Sequence, residues 1–523
     1  MNNKKIDIKK KQILTAREAA DQVEDGDTVA SSGFVSSAIP EGIIKALENR
    51  FLETGKPNGI TYFYAGSQGL RDGRGGDHVA HAGLTKRVIA GHYNTAPKLG
   101  NAVMSGAIEG YNLPQGTLSQ LTRDIAAHRP GTITRVGLGT FVDPRLEGGK
   151  INSITTEDIV ELIEINGEEY LLYKSFPINV AFLRGSFADE AGNVTMHREI
   201  AEGEVTALAQ AAKNSGGKVF VQVEKIVPFG TLDPRLVKIP RNLVDALIVA
   251  DPGDHEQTYG CEFDPSLTGE AHLALEGLPP TPLDAKKVIA RRAALEFKGE
   301  AFVNLGIGIP EFIANVGNEE GLSDRIMLTV EAGPNGGVPL SGPRFGASVN
   351  PECILSQNDQ FDYYDGGGID MAFLGMAQAD KEGNINVSRF SGRLAGCGGF
   401  INITQNAKRV YFCGTFTSGG LELQVGGGRI AVLNEGREKK FVESVEQITF
   451  SGGYARKTGQ YVLYITERAV FELRADGMWL IEVAPGVDIK TQVLDLMEFV
   501  PKMDKEPKLM DERIFYDSVM ELI

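Results

Sequence analysis

Cysteine is scarce in this 523-residue chain: Cys261, Cys353, Cys397 and Cys413 stand far apart, and no Cys-x-x-Cys pair occurs. That excludes a disulfide framework and a thiolate zinc site of ordinary spacing. Long apolar runs are missing too. The amino terminus, Met1-Asn2-Asn3-Lys4-Lys5-Ile6-Asp7-Ile8-Lys9-Lys10-Lys11, is basic without the apolar stretch of a signal peptide, so a cytoplasmic protein is expected. The seven histidines offer only His78-Val79-Ala80-His81 at close spacing, with no carboxylate in a metal motif. No metal is expected, and these two histidines read as surface or loop residues. Basic residues are outnumbered, 53 Lys and Arg against 69 Asp and Glu, and the net charge of -16 argues against a nucleic-acid backbone or an anionic membrane as partner. Neither Gly-x-x-x-x-Gly-Lys-Ser/Thr, nor Gly-x-Gly-x-x-Gly opening a helix, nor a Gly-x-Ser-x-Gly elbow occurs.

What is abundant is glycine, 63 residues of it, within an otherwise ordinary balance of 42% hydrophobic and 23% charged residues. A chain this long exceeds one core, so at least two domains are expected, with many tight loops close to backbone or ligand. The chain repeats itself. Thr28-Val29-Ala30, a small-residue loop and Ile39-Pro40-Glu41 before a helix recur as Ala301–Leu305, Gly306-Ile307-Gly308 and Ile309-Pro310-Glu311. Ala181-Phe182-Leu183 with Asp189, Gly192-Asn193 and Arg198 recurs at constant spacing as Ala372-Phe373-Leu374 with Asp380, Gly383-Asn384 and Arg389. Two matched sets in one order predict two related halves, 1–255 and 283–523, joined by a Pro-rich surface linker at 256–282. The first half holds roughly eighty more residues between its landmarks, placed at Tyr62 to Pro144. Alternating apolar runs and helical stretches predict an α/β fold of largely parallel sheets covered by helices, with a closing hairpin in Tyr461–Ile481.

The candidate catalytic carboxylate is Glu331. Ile326-Met327-Leu328-Thr329-Val330 reads as a short buried strand, and Ala332-Gly333-Pro334-Asn335-Gly336-Gly337 ends it at once. A carboxylate is thereby left at the carboxyl end of a strand, where open α/β sheets bind ligands. Gly306-Ile307-Gly308, Gly366-Gly367-Gly368 and Gly396-Cys397-Gly398-Gly399-Phe400 accompany it, and such loops let a ligand approach backbone N–H groups.

These motifs resemble the class I coenzyme A transferases, and the resemblance spans nearly the whole chain. Val330–Pro339 is similar to the segment holding that family's covalent glutamate, Val303–Pro310 to its coenzyme-binding loop, and Gly396–Phe400 to its second glycine loop. Pro114-Gln115-Gly116-Thr117-Leu118 is similar to the turn that brings a glutamine to the acyl group. Within the family, Gly66-Ser67-Gln68-Gly69, Arg71–Gly75, Gly139–Arg145, Phe361–Gly368 and Leu509-Met510-Asp511 resemble the propionate CoA-transferases; Asn335 departs, where an aliphatic residue is expected.

The resemblance implies a CoA-transferase fold and coenzyme A exchange among short-chain acids such as propionate, acetate, butyrate and lactate. It also implies Glu331 as the nucleophile that forms a glutamyl-CoA thioester. Gln115, Gly398 and Gly399 would contact the acyl group or oxyanion, and Gly306, Ile307, Gly308, Ile309, Pro310 and Gly396 would hold coenzyme A. No metal or other cofactor is implied, and a homo-oligomer, dimer or tetramer, is expected. A hydrolase on the same fold, a thiol acyltransferase using Cys397 and a non-catalytic acyl-CoA binder are the alternatives.

Overall fold

The structure, a computed structural model, describes residues 9–274 and 281–522. Each half is built on a buried sheet whose strands are almost continuously apolar, as two helix-covered faces require. In the first sheet the strands run in the order Gln12–Ile13, Ala246–Val249, Lys218–Val227, Val180–Asp189, Thr28–Ser31, Ile60–Tyr64, Thr85–Ala90 and Glu109–Asn112. All neighbours along it are parallel. In the second, Ile326–Thr329, Ala301–Leu305, Met371–Gly375, Arg409–Cys413 and Tyr461–Ile465 form the parallel centre. Ala469–Arg474 and Gly477–Val483 add the expected antiparallel hairpin.

The duplication extends to register. Phe182 faces Phe220 and Ala30 faces Ala181 in the first sheet; Phe373 faces Tyr411 and Asn304 faces Ala372 in the second. Local signals hold as well. Thr15 and Glu18 close a reciprocal capping box on the helix Ala16–Ala20, which satisfies two otherwise orphaned backbone donors.

Two expectations are corrected. Ile60–Tyr64 takes the place in the first sheet that Ile326–Thr329 takes in the second, so Tyr62 belongs to the shared framework. The extra matter begins after it and runs past Pro144, adding two more parallel strands and a small antiparallel sheet that ends at Lys174. The joint is also more than a surface strap. Gln257, Thr258, Ser266 and Leu267 are buried, and Leu267 joins Phe34, Val35 and Ile200 against Val330, Ala332, Phe345 and Ala347. Pro279 and Pro280 lie outside the described residues.

Candidate active site

The carboxyl ends of both sheets converge on one cavity of about 620 Å³. Loops after four first-half strands bring Phe34, Ser67, His92 and Gln115; loops and strand ends of the second half bring Gly306, Glu331 and Gly375. Ligand sites of open α/β sheets lie at this edge.

Glu331 stands two residues beyond Thr329 on a tight turn, where the Gly333 N–H donates to the Val330 carbonyl at 3.0 Å. Gly333 has φ +128°, and a Cβ there would lie 2.1 Å from the Leu355 carbonyl oxygen, so only glycine lets the chain turn this sharply. The half-buried Glu331 side chain opens on the cavity, and among the described residues no basic one stands close enough to offset its burial. Burial pushes its carboxyl up from the usual 4.5 to about 7. A more basic carboxylate is a stronger nucleophile, at the cost of being only partly ionised at neutral pH.

The expected coenzyme loop divides. Gly306 and Ile307 line the cavity, with Ile307 exposed at 58%. Gly308, Ile309 and Pro310 do not line it: Gly308 faces open space, Ile309 packs against the second-half core, and Pro310 caps the helix Glu311–Glu319. The second glycine loop divides too. Gly396, Gly398 and Gly399 all line the cavity, but the Gly398 N–H is spent on the Gly91 carbonyl at 2.8 Å and the Gly396 N–H on the Ser388 carbonyl at 2.9 Å. Of the two glycines expected at the oxyanion, Gly398 thus has its N–H taken, while the Gly399 N–H has no partner among the described residues. Gly366-Gly367-Gly368 is no ligand loop: it follows the helix Gln357–Asp365, and a Cβ at Gly368 would collide with the Tyr363 ring at 2.4 Å.

Gln115 faces the same cavity from the first residue of its helix, with its backbone N–H on the Gly398 carbonyl at 2.9 Å. It is thus tied to the glycine loop of the other half. Beside it, Ser67 Oγ meets His92 Nδ1 at 3.1 Å and Thr95 Oγ1 at 2.5 Å, and burial lowers the His92 imidazole to about 4, leaving it neutral. Arg71, with φ +64°, uses Nε on the Asn94 carbonyl at 2.9 Å. Sequence reasoning had no hold on His92, a lone histidine. Ser67 and Arg71 stood in motifs quoted for family likeness alone.

Cys397 lines the cavity, but burial pushes its thiol far up, and its Sγ meets the Gly91 carbonyl at 3.8 Å. Asn335 lies outside the lining; its Nδ2 donates to the Gly333 carbonyl at 3.0 Å and to Gln360 Oε1 at 2.9 Å. His78, expected at the surface, is buried and bridges Glu41 at 2.7 Å and Glu48 at 2.5 Å. Among the described residues no cluster of His, Cys, Asp or Glu is arranged to hold a metal ion, and no helix is long and apolar enough to cross a membrane.

A glutamate and glycine loops thus meet in one cavity between two homologous half-folds. Comparison with known proteins places the chain: it belongs to the coenzyme A transferase family, enzymes that move coenzyme A between acyl-CoA and free acids. The family model for coenzyme A transferase matches residues 13–250. The chain is 47% identical over 513 residues to the caffeate CoA-transferase of Acetobacterium woodii, covering 97% of this chain and 98% of that one. It is 41% identical over 514 residues to the acetate CoA-transferase YdiF of Escherichia coli O157:H7, covering 98% and 96%. The crystal structure of the YdiF apoenzyme superposes with a TM-score of 0.93 at 40% identity, covering 98% of both chains. A second YdiF structure, described as a thioester complex with CoA, gives 0.92 with the same coverage.

Proposed function

We propose that this chain exchanges coenzyme A between short-chain acyl-CoA and free carboxylic acids by a ping-pong route through a glutamyl-CoA thioester on Glu331. The observation that carries the reading is the position of Glu331, a carboxylate with no cation beside it, made basic by burial, and facing a cavity shared by both halves. Its carboxylate attacks the thioester carbonyl, the C–S bond breaks, and coenzyme A leaves as thiolate, giving an acyl-glutamyl anhydride. The thiolate then attacks the Glu331 carbonyl carbon and expels the first acid as carboxylate. A second acid runs both steps in reverse. The Gly399 N–H would stabilise the oxyanions, a type of contribution worth about 3 kcal/mol per donor, while Gln115 would face the acyl group from the first half.

No step needs a metal or a redox group. A site walled by both halves favours transfer over hydrolysis, because water reaching the anhydride or thioester would destroy it. The YdiF thioester complex supports the covalent route, and relatives named for acetate and for caffeate make both short aliphatic and aromatic acids part of the test panel. We take the working unit to be two halves, 1–255 and 283–523, joined by 256–282, in a cytoplasmic homo-oligomer.

Incubation with propionyl-CoA and no acceptor should build up a thioester, located at Glu331 by peptide mass spectrometry after borohydride or hydroxylamine treatment. Glu331→Gln should bind acyl-CoA, form no adduct and lose turnover by several orders of magnitude. Label on Cys397, or free coenzyme A released equally fast with and without added acetate, would overturn the reading.

A further inference from the structure

Gln115 does not hold its own orientation. Its Nε2 donates to Gln357 Oε1 at 3.0 Å, and Gln357 Nε2 donates to Glu204 Oε2 at 2.9 Å. The three side chains are 2%, 2% and 4% exposed, so the relay is closed to solvent. It crosses between the halves twice, since Glu204 precedes the first-half helix Val205–Asn214 while Gln357 opens the second-half helix Gln357–Asp365. The Gln357 backbone is pinned as well, its N–H donating to the Gly203 carbonyl at 2.9 Å.

Amide ends are nearly equal in shape and opposite in hydrogen-bonding sense, so something must choose between them. An ionised carboxylate, the form Glu204 takes above about pH 7, accepts only. Facing Glu204, Gln357 must offer its N–H₂ there and its oxygen to Gln115, and Gln115 must answer with N–H₂. The Gln115 oxygen is thereby turned toward Gly398, where a Cβ would lie 3.8 Å from it. Burial with no cation nearby pushes the Glu204 carboxyl up to about 7, a cost hard to account for if the group only filled space.

We propose that Glu204 and Gln357 are positioning residues that set the polarity of the Gln115 amide, and so decide which of its two ends faces the acyl group. The proposal rests on the covalent route above. Glu204→Gln keeps the shape but lets the new amide donate, which frees Gln357 and Gln115 to adopt either sense. Thioester formation in a single turnover, and kcat for transfer, should fall about tenfold or more, as misoriented catalytic groups do, with the Kd for free coenzyme A unchanged.

The double change Glu204→Gln with Gln357→Glu moves the acceptor-only group to the middle of the relay, where it accepts from both neighbours, and should restore most of the rate. In a Gln115→Ala background, Glu204→Gln should cost nothing further. A rate within twofold of wild type for Glu204→Gln, no rescue by the exchange, or an undiminished loss in the Gln115→Ala background would each overturn the proposal. Because kcat for transfer is read alongside the adduct, label missing from Glu331 refutes the covalent route while the variant pattern still judges the relay.

Discussion

Gly116→Ala sets two physical effects of opposite sign against each other. Gly116 is the second residue of the helix Gln115–Ala126, where Gly→Ala ordinarily gains about 1 kcal/mol of helix propensity. Its φ is ordinary, so backbone strain plays no part. A methyl there, however, would lie 2.4 Å from Phe361 Cδ1, 2.5 Å from its Cγ and 2.7 Å from Asn402 Nδ2. Carbon atoms rest about 3.5–4.0 Å apart, so helix and ring must part by about 1 Å. Phe361 cannot swing away, being fully buried and set edge-on to Tyr364 at 5.5 Å. Overpacking of this kind costs about 1–3 kcal/mol, which exceeds or cancels the propensity gain and leaves a net loss of up to about 2 kcal/mol.

The larger effect falls on catalysis. Gln115 is the preceding residue, and Gly116 N–H is bonded to Asn402 Oδ1 at 3.1 Å, so the displacement carries the acyl-contacting amide with it. A shift of about 1 Å can cost about a hundredfold in rate. Urea unfolding and single-turnover thioester formation check both parts. A Gly116→Ala protein more stable than wild type and equally fast would show that the halves do not pack here as described.

Cys397→Ser should keep most of the turnover, because burial holds the thiol protonated; a loss comparable to that of Glu331→Gln, in a variant still folded by circular dichroism, would move the nucleophile to sulfur. Cutting the chain at Gly277, which lies outside the described residues, and co-expressing 1–277 with 278–523 should give an active complex on size exclusion. The first piece then keeps Leu267, in its cross-half cluster, and Leu273, whose N–H and carbonyl both bond Asn350 at 2.9 and 2.8 Å. A first piece ending at 255 should bind its partner at least tenfold more weakly, since it lacks both; equal assembly would make the joint dispensable.

The framework was legible because it is written twice. Spacing that matches Ala181 to Ala372 reappears as Phe182 facing Phe220 and Phe373 facing Tyr411, since register follows residue spacing along paired strands. Glu331 was legible because a strand and its terminator are local signals. Pairings across the halves left no such trace. Glu204, Gln357 and Gln115 are far apart in sequence, and nothing local distinguishes Gln357 from any helix-opening glutamine. The Gly398 N–H looked available because glycine announces backbone access without saying which carbonyl has already taken the donor. Gly366-Gly367-Gly368 failed for the same reason, the residues being needed to end a helix beside Tyr363.

Burying the nucleophile also has a stability consequence with a definite sign. Glu331 holds its proton in the folded protein up to about pH 7, whereas the unfolded chain releases it near 4.5. Between those values the unfolded state carries fewer protons, so this group's contribution to stability falls as pH rises from 4.5 and is fully lost above 7. The loss is on the order of 3 kcal/mol at pH 8, taking 1.36 kcal/mol per pH unit. Glu331→Gln removes it, and the carboxyls Glu204 and Asp365, also pushed up to about 7, titrate in both proteins and cancel from the difference. The stability gained by the variant over wild type should therefore widen by about 2 kcal/mol between pH 5.5 and pH 8, measured by urea unfolding at each pH. A gap that stays constant across that range would mean the Glu331 carboxylate is not desolvated before substrate arrives, and its nucleophilicity would have to come from coenzyme A binding instead.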